Sequence, residues 1–207
     1  MTWLTTVRRS NYPYLVAEAK RRELLQLKER DTFVPTRRSE LPLETKVVGT
    51  RWVITNKGTT LEPKIKARLV CQEFATEKNM DLFSGTPALP AVKVILSDLV
   101  TDRRDRLVMV LDVTGALLYG TARRIVAVRL PVEAGASGAL GLLRKSLYGL
   151  RDAPQIGNDH FSATLRGLGF TECVTVPGIL RHVSRDIRLA VHVDDVIVTG
   201  ALDNLQW

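Results

Sequence analysis

Cysteine is nearly absent from this 207-residue chain, and its two thiols, Cys71 and Cys173, stand about a hundred positions apart. That spacing excludes a disulfide framework and a cysteine-rich zinc site. The three histidines, His160, His182 and His192, are too scattered for a zinc motif. No apolar run approaches the ~20 residues of a membrane helix, so no membrane partner is expected. Residues 1–12 carry Arg8 and Arg9 but no apolar core of signal-peptide length. Repeats, low-complexity tracts and phosphate-cradling glycine loops are also missing.

What is present is ordinary globular material. Hydrophobic residues make up 45% and charged residues 25% of the chain, enough for one domain or one and a half. Lys and Arg number 30 against 22 Asp and Glu, a net charge of +8. Most of the excess lies in residues 1–100, with 17 cations and 11 acids. A pI near 9.8 suits a polyanionic partner, of which nucleic acid is the commonest; a solvated basic surface is the plainer alternative.

Periodicity predicts a helix over 15–30, with Leu15, Ala19, Leu24 and Leu27 as its apolar stripe. Pro35 and Pro42 bracket a predicted loop after it. Residues 46–55, the turn Asn56-Lys57-Gly58 and residues 64–74 predict a hairpin. On its return strand Ile65, Ala67, Leu69 and Cys71 share one face, and Lys66 and Arg68 share the other. A helix is predicted over 91–100, facing inward through Val92, Ile95, Leu96 and Leu99, and Arg103–Arg106 reads as a charged connector. Residues 125–130 predict a strand and 133–141 a surface loop. A helix from Pro154 to Leu168 is predicted to bury Phe161, Leu165 and Leu168 and to end at Gly169.

The chemistry sits in two apolar segments. Leu107–Val113 reads as a strand buried on both faces, interrupted by Asp112. An acid there is costly unless it is paired, hydrogen-bonded, metal-bound or used as a turn cap. Further on, Asp194-Asp195 joins two apolar strands, 189–193 and 196–198, as a hairpin tip. Turn chemistry accounts for one Asp in such a tip, but two adjacent like charges repel. If these strands are neighbours, the three carboxylates converge. Oxygen-rich sites suit Mg²⁺, and two ions roughly 3.5–4 Å apart serve in-line phosphoryl displacement. Lys66 and Arg68 then offer charge for a triphosphate.

Five stretches in order carry a resemblance to the reverse transcriptase of copia-type long-terminal-repeat retrotransposons. They are Arg30–Pro35; Gly49–Val53 with Lys66–Val70; Leu111-Asp112-Val113 with Ala116, Leu118 and Gly120; Lys145–Arg151 with Pro154; and Val193-Asp194-Asp195. The resemblance implies an α+β fold, a right-hand polymerase with an antiparallel palm sheet packed on helices. It places an N-terminal extension at 1–14, fingers largely over 15–100, palm largely over 101–200, and an end at 201–207 with the thumb missing. It implies an RNA-directed DNA polymerase working with two Mg²⁺ or Mn²⁺ ions on an RNA or DNA template-primer and dNTP. Asp112, Asp194 and Asp195 are the implied catalytic acids and, with the Val113 carbonyl, the implied metal ligands. Lys66 and Arg68 are the implied triphosphate contacts.

Departures from the family pattern are as informative. Leu117 stands where the family carries an aromatic ring that excludes a ribose 2′-hydroxyl. His192 replaces the tyrosine near the primer terminus. Asp152 replaces a glutamine and puts a negative charge close to the expected nucleotide, while Gln155 and Gly157 replace an arginine and a tryptophan. With the family's thumb and ribonuclease H regions expected beyond residue 207, the resemblance implies a weakly active or inactive polyprotein fragment. The alternative is an inert basic nucleic-acid-binding remnant.

Overall fold

A computed structural model describes residues 12–74, 85–101, 105–135 and 138–206. The chain divides into two compact units, one from residues 1–78 with 121–153, the other from 79–120 with 154–207. The units interleave along the sequence.

In the first unit, helix α1 (Pro13–Glu29) begins with Pro at its first position, where no intrahelical N–H bond is lost. Its buried stripe is Ala19, Glu23 and Leu27, at four-residue spacing. Leu27 is fully enclosed, and the acid in the middle is satisfied: Glu23 Oε1 accepts the Leu69 N–H at 3.3 Å. Leu69 lies on β4 (Ile65–Cys71), which pairs antiparallel with β3 (Thr50–Asn56). A helix carboxylate therefore serves an N–H that the ladder leaves over. Ala67, Leu69 and Cys71 are buried and Lys66 is exposed, as the alternation predicts. The turn between the strands is built on Asn56, whose Oδ1 accepts the Gly58 and Lys64 N–H groups.

The predicted first strand of this hairpin is two strands. β2 (Lys46–Val48) leaves at Gly49 and pairs parallel with β6 (Val126–Arg129). The sheet runs β1 (Phe33–Thr36), β7 (Leu140–Leu143), β6, β2. Pro35, the first bracket of the predicted loop, stands inside an edge strand, opposite Gly141; an edge tolerates its missing donor. The loop predicted over 133–141 likewise gives way to β7 at Leu140, while residues 136–137 lie outside the described part.

In the second unit, five strands run in the order β5 (Arg106–Asp112), β11 (Asp195–Ala201), β10 (Ile187–His192), β9 (Ile179–His182), β8 (Thr171–Glu172). All pairs are antiparallel. Helices α2 (Leu89–Thr101), α3 (Ala153–Gly167) and the short α4 (Leu202–Leu205) complete it. Leu165, Phe170, Leu180, Leu189, Val191, Val196 and Val198 form the core, with Phe161 and Leu205 packed against it. α2 buries Ile95 and half-buries Val92, Leu96 and Leu99, as predicted. α3 ends in a Schellman motif: Phe170 N–H donates to Leu165 O, Gly169 N–H to Arg166 O, and Gly169 takes φ +91°. Leu168 lies at that terminus and is exposed, contrary to expectation.

β5 is the larger correction. Among the described residues it pairs on one side only, and residues 107–111 are all exposed, Val110 at 70%. Its apolar run records composition, whereas burial depends on place in the sheet. The buried residue of β5 is Arg106, which donates to Asp186 Oδ2 and to its carbonyl. Of the connector predicted over 103–106, residues 103 and 104 lie outside the described part. Among the described residues, no helix is long and apolar enough to cross a membrane.

Candidate active site

The β5–β11 ladder runs in unbroken register from Arg106–Ala201 to Asp112–Asp195. One step further, Val113 N–H donates to Asp194 O at 2.8 Å. That bond makes 113/194 a hydrogen-bonded pair, so 112/195 is a non-bonded pair with Cα atoms about 4.5 Å apart. Residues directly opposite point to the same face. On the other side of β11, His192 is the register partner of Asp195. His192, Asp195 and Asp112 therefore form one cross-strand row on one face, and all three are exposed.

The tip of the β10–β11 hairpin is Val193-Asp194, one residue earlier than the predicted Asp194-Asp195, and Asp195 opens the strand. Val193 takes φ +60°. A positive φ at the first of two tip residues is the type II′ arrangement, which prefers Gly. A β-branched residue there stores on the order of 1–3 kcal/mol of strain. Like charges directly opposite on adjacent strands are also unfavourable. Two local rules are broken within three residues, which is where function is expected.

The donor set suits a hard dication: two carboxylates in register, oxygen only, open to water. Asp194, half-buried at the tip, is the third acid, and Val113 follows Asp112 directly. Among the described residues, no three His, Cys, Asp or Glu side chains close into a metal-holding group. The structure brings Asp112 and Asp195 together as a pair, with Asp194 tied to them through its backbone.

Next to Asp112 in the chain, residues 115–120 lie against α3. A Cβ on Gly120 would collide with Ile156 Cγ2. Leu117, half-buried on a 3₁₀ turn (Ala116–Leu118), has its Cδ2 2.7 Å from where a Gly157 Cβ would stand. Two departures from the family pattern thus meet each other.

Within the first unit, Lys66 is exposed and Arg68 half-buried on β4. The Arg68 guanidinium lies over the Tyr148 ring, 5.5 Å from its centroid. Burial raises the Tyr148 phenol pKa, and Arg68 opposes that shift. Burial likewise raises the pKa of Glu23, against the Leu69 hydrogen bond and the charges of Arg68 and Lys66.

Asp152 is not the bare charge that the sequence suggests. It is buried, and Arg124 grips both its oxygens, Nε to Oδ2 at 2.9 Å and Nη2 to Oδ1 at 3.0 Å. The same guanidinium binds Glu73, whose side chain is 1% exposed and also accepts from Lys46 and the Arg151 N–H. Hydrogen bonding to Arg124 holds the Glu73 pKa down at about 2 against its burial. Neither Arg124 nor Glu73 was visible as a site residue, since nothing local marks them. Glu23 did carry a signal, as an acid at the centre of the 19-23-27 stripe.

A family model described as "Reverse transcriptase (RNA-dependent DNA polymerase)" matches residues 36–205. The chain is similar to the retrovirus-related Pol polyprotein from transposon RE1 of Arabidopsis thaliana, 28% identical over 182 residues, covering 79% of this chain and 12% of that polyprotein. It is also similar to that from transposon TNT 1-94 of Nicotiana tabacum, 27% identical over 194 residues, covering 88% and 14% respectively. The chain thus spans about an eighth of the length of these relatives.

Proposed function

The chain belongs to the reverse transcriptase (RNA-dependent DNA polymerase) family, and from that premise we propose that it is the polymerase segment of a copia-type Pol polyprotein. It extends a primer 3′-hydroxyl with dNTP on an RNA or DNA template. The first unit supplies fingers and the second the palm. The observation that carries this reading is the register pairing of Asp112 with Asp195.

Asp112, Asp195 and Asp194, with the Val113 carbonyl, are the residues that would hold two divalent ions. Such ions would supply a lowered 3′-hydroxyl pKa and charge neutralisation at the leaving pyrophosphate. The chain's own contribution is to fix the carboxylates. The ladder sets Asp112 against Asp195, the Val113–Asp194 bond pins the tip, and exposure keeps the oxygens open to ligands. His192, in the same cross-strand row, faces the primer end. Lys66 and Arg68 bind the triphosphate, Arg68 by its planar fork. The bound pair Asp152–Arg124 leaves no uncompensated negative charge from Asp152 against that triphosphate.

Primer extension on an RNA template with Mg²⁺ or Mn²⁺ tests the reading. Weak incorporation is expected from the wild type and none from Asp112→Asn or Asp195→Asn. Incorporation that survives both substitutions sinks it. The net charge of +8 favours a second reading, an inert nucleic-acid-binding remnant. That reading predicts salt-sensitive binding without incorporation.

A further inference from the structure

Tyr148 has a place in the first unit that the family pattern does not explain. Its carbonyl accepts the Cys71 N–H at 2.7 Å, so the loop after β7 is pinned to the end of β4. The next residue, Gly149, takes φ +82°, and a Cβ there would strike the Cys71 carbonyl. Only glycine lets the loop come this close. The outcome is that the Tyr148 ring lies under Arg68, at 5.5 Å, while Lys66, two residues earlier on the same strand face, is exposed.

Resting on the reading of Arg68 as a triphosphate contact, we infer that Tyr148 is the positioning residue for Arg68, holding its guanidinium over the ring so that the fork is presented before ligand arrives. Arginine has long, rotamer-rich stems, and part of any binding energy goes into ordering them. A guanidinium held over a ring, with the ring clamped through its own backbone to the strand that bears the arginine, has that ordering done in the free protein. Lys66 has no such support among the described residues. The two cations therefore differ in kind: Arg68 sets geometry, and Lys66 adds charge.

The test is calorimetric titration of dTTP with Mg²⁺ into the whole 207-residue chain, with a thermal melt of every variant. Arg68→Ala should weaken binding. Tyr148→Met, which fills a similar volume without a π face, should weaken it about 5- to 20-fold, the reach of a cation–π contact. Tyr148→Phe should restore affinity to within about threefold of the wild type, because the ring remains. The double variant Arg68→Ala with Tyr148→Met should bind no more weakly than Arg68→Ala alone. Should Tyr148→Met fail to fold, Arg68→Lys probes the same contact from the other partner and should lose a similar factor. If Arg68→Ala weakens binding while Tyr148→Met and Arg68→Lys do not, or the double variant is additive, the positioning role is wrong and the triphosphate reading stands. If the wild type does not bind dTTP, or Arg68→Ala leaves affinity unchanged, the triphosphate reading fails and takes the inference with it.

Discussion

Leu117 fills the space that a side chain at position 157 would need, with its Cδ2 2.7 Å and its Cα 3.4 Å from the point where a Gly157 Cβ would stand. Glycine inside α3 costs about 1 kcal/mol relative to alanine, yet it lets the 3₁₀ turn after Asp112 press against the helix. Gly157→Ala should therefore be close to neutral, its helix gain offset by the clash. In a Leu117→Ala background, where the space is open, the same change should stabilise by about 0.5–1 kcal/mol. Urea melts of the four proteins give the coupling; strict additivity would show that the two residues do not share the space.

Relief of a strained tip is expected at Val193. The residue is 46% exposed, so little packing is lost, while its φ of +60° is unfavourable for a β-branched residue. Val193→Gly should raise stability by about 1 kcal/mol after the entropy cost of glycine. A lower denaturation midpoint would contradict the turn geometry.

The carboxylate pair predicts a trade between stability and activity. Asp195→Asn removes a like-charge contact with Asp112 and should stabilise the chain by about 0.5 kcal/mol in metal-free buffer. The same variant should lose primer extension. The stability gain should shrink as salt is raised, which a series of melts from low to high ionic strength would reveal.

Acid should loosen the Glu73–Arg124–Asp152 cluster. The folded pKa of Glu73, about 2, lies below its ordinary 4.5. Its stabilisation is complete above pH 4.5 and is lost as pH falls through about 2. The size is about 2–3 kcal/mol. Glu73→Gln should lose a similar amount at pH 7 and show a flatter stability profile than the wild type between pH 4.5 and 2. A parallel pair of profiles would remove Glu73 from the acid response.

If the chain polymerises, Leu117→Phe should reject rNTP more strongly than the wild type, since leucine leaves room where a ring would meet the 2′-hydroxyl. Competing dNTP and rNTP incorporation measures this. Equal discrimination by the two proteins would discard Leu117 as a sugar contact.

The amino-acid order alone determined whatever depends on local period or on the order of motifs along the chain. The existence of α1, the α2 stripe, the β3–β4 hairpin and its faces, the Gly169 stop and the family resemblance are all of this kind. Each rests on residues a few positions apart, where backbone geometry dictates which side chains share a face. Tertiary structure decided the rest. It placed β5 at an open edge, because strand order follows from long-range pairing and not from apolar content. It put Asp112 opposite Asp195 through a register between segments about eighty residues apart. It also gave Asp152 its Arg124, Glu23 its Leu69 N–H and Arg68 its Tyr148. A partner supplied from across the chain leaves no trace in the local pattern, so charge neutralisation and the cation–ring contact became legible only once the chain had closed on itself.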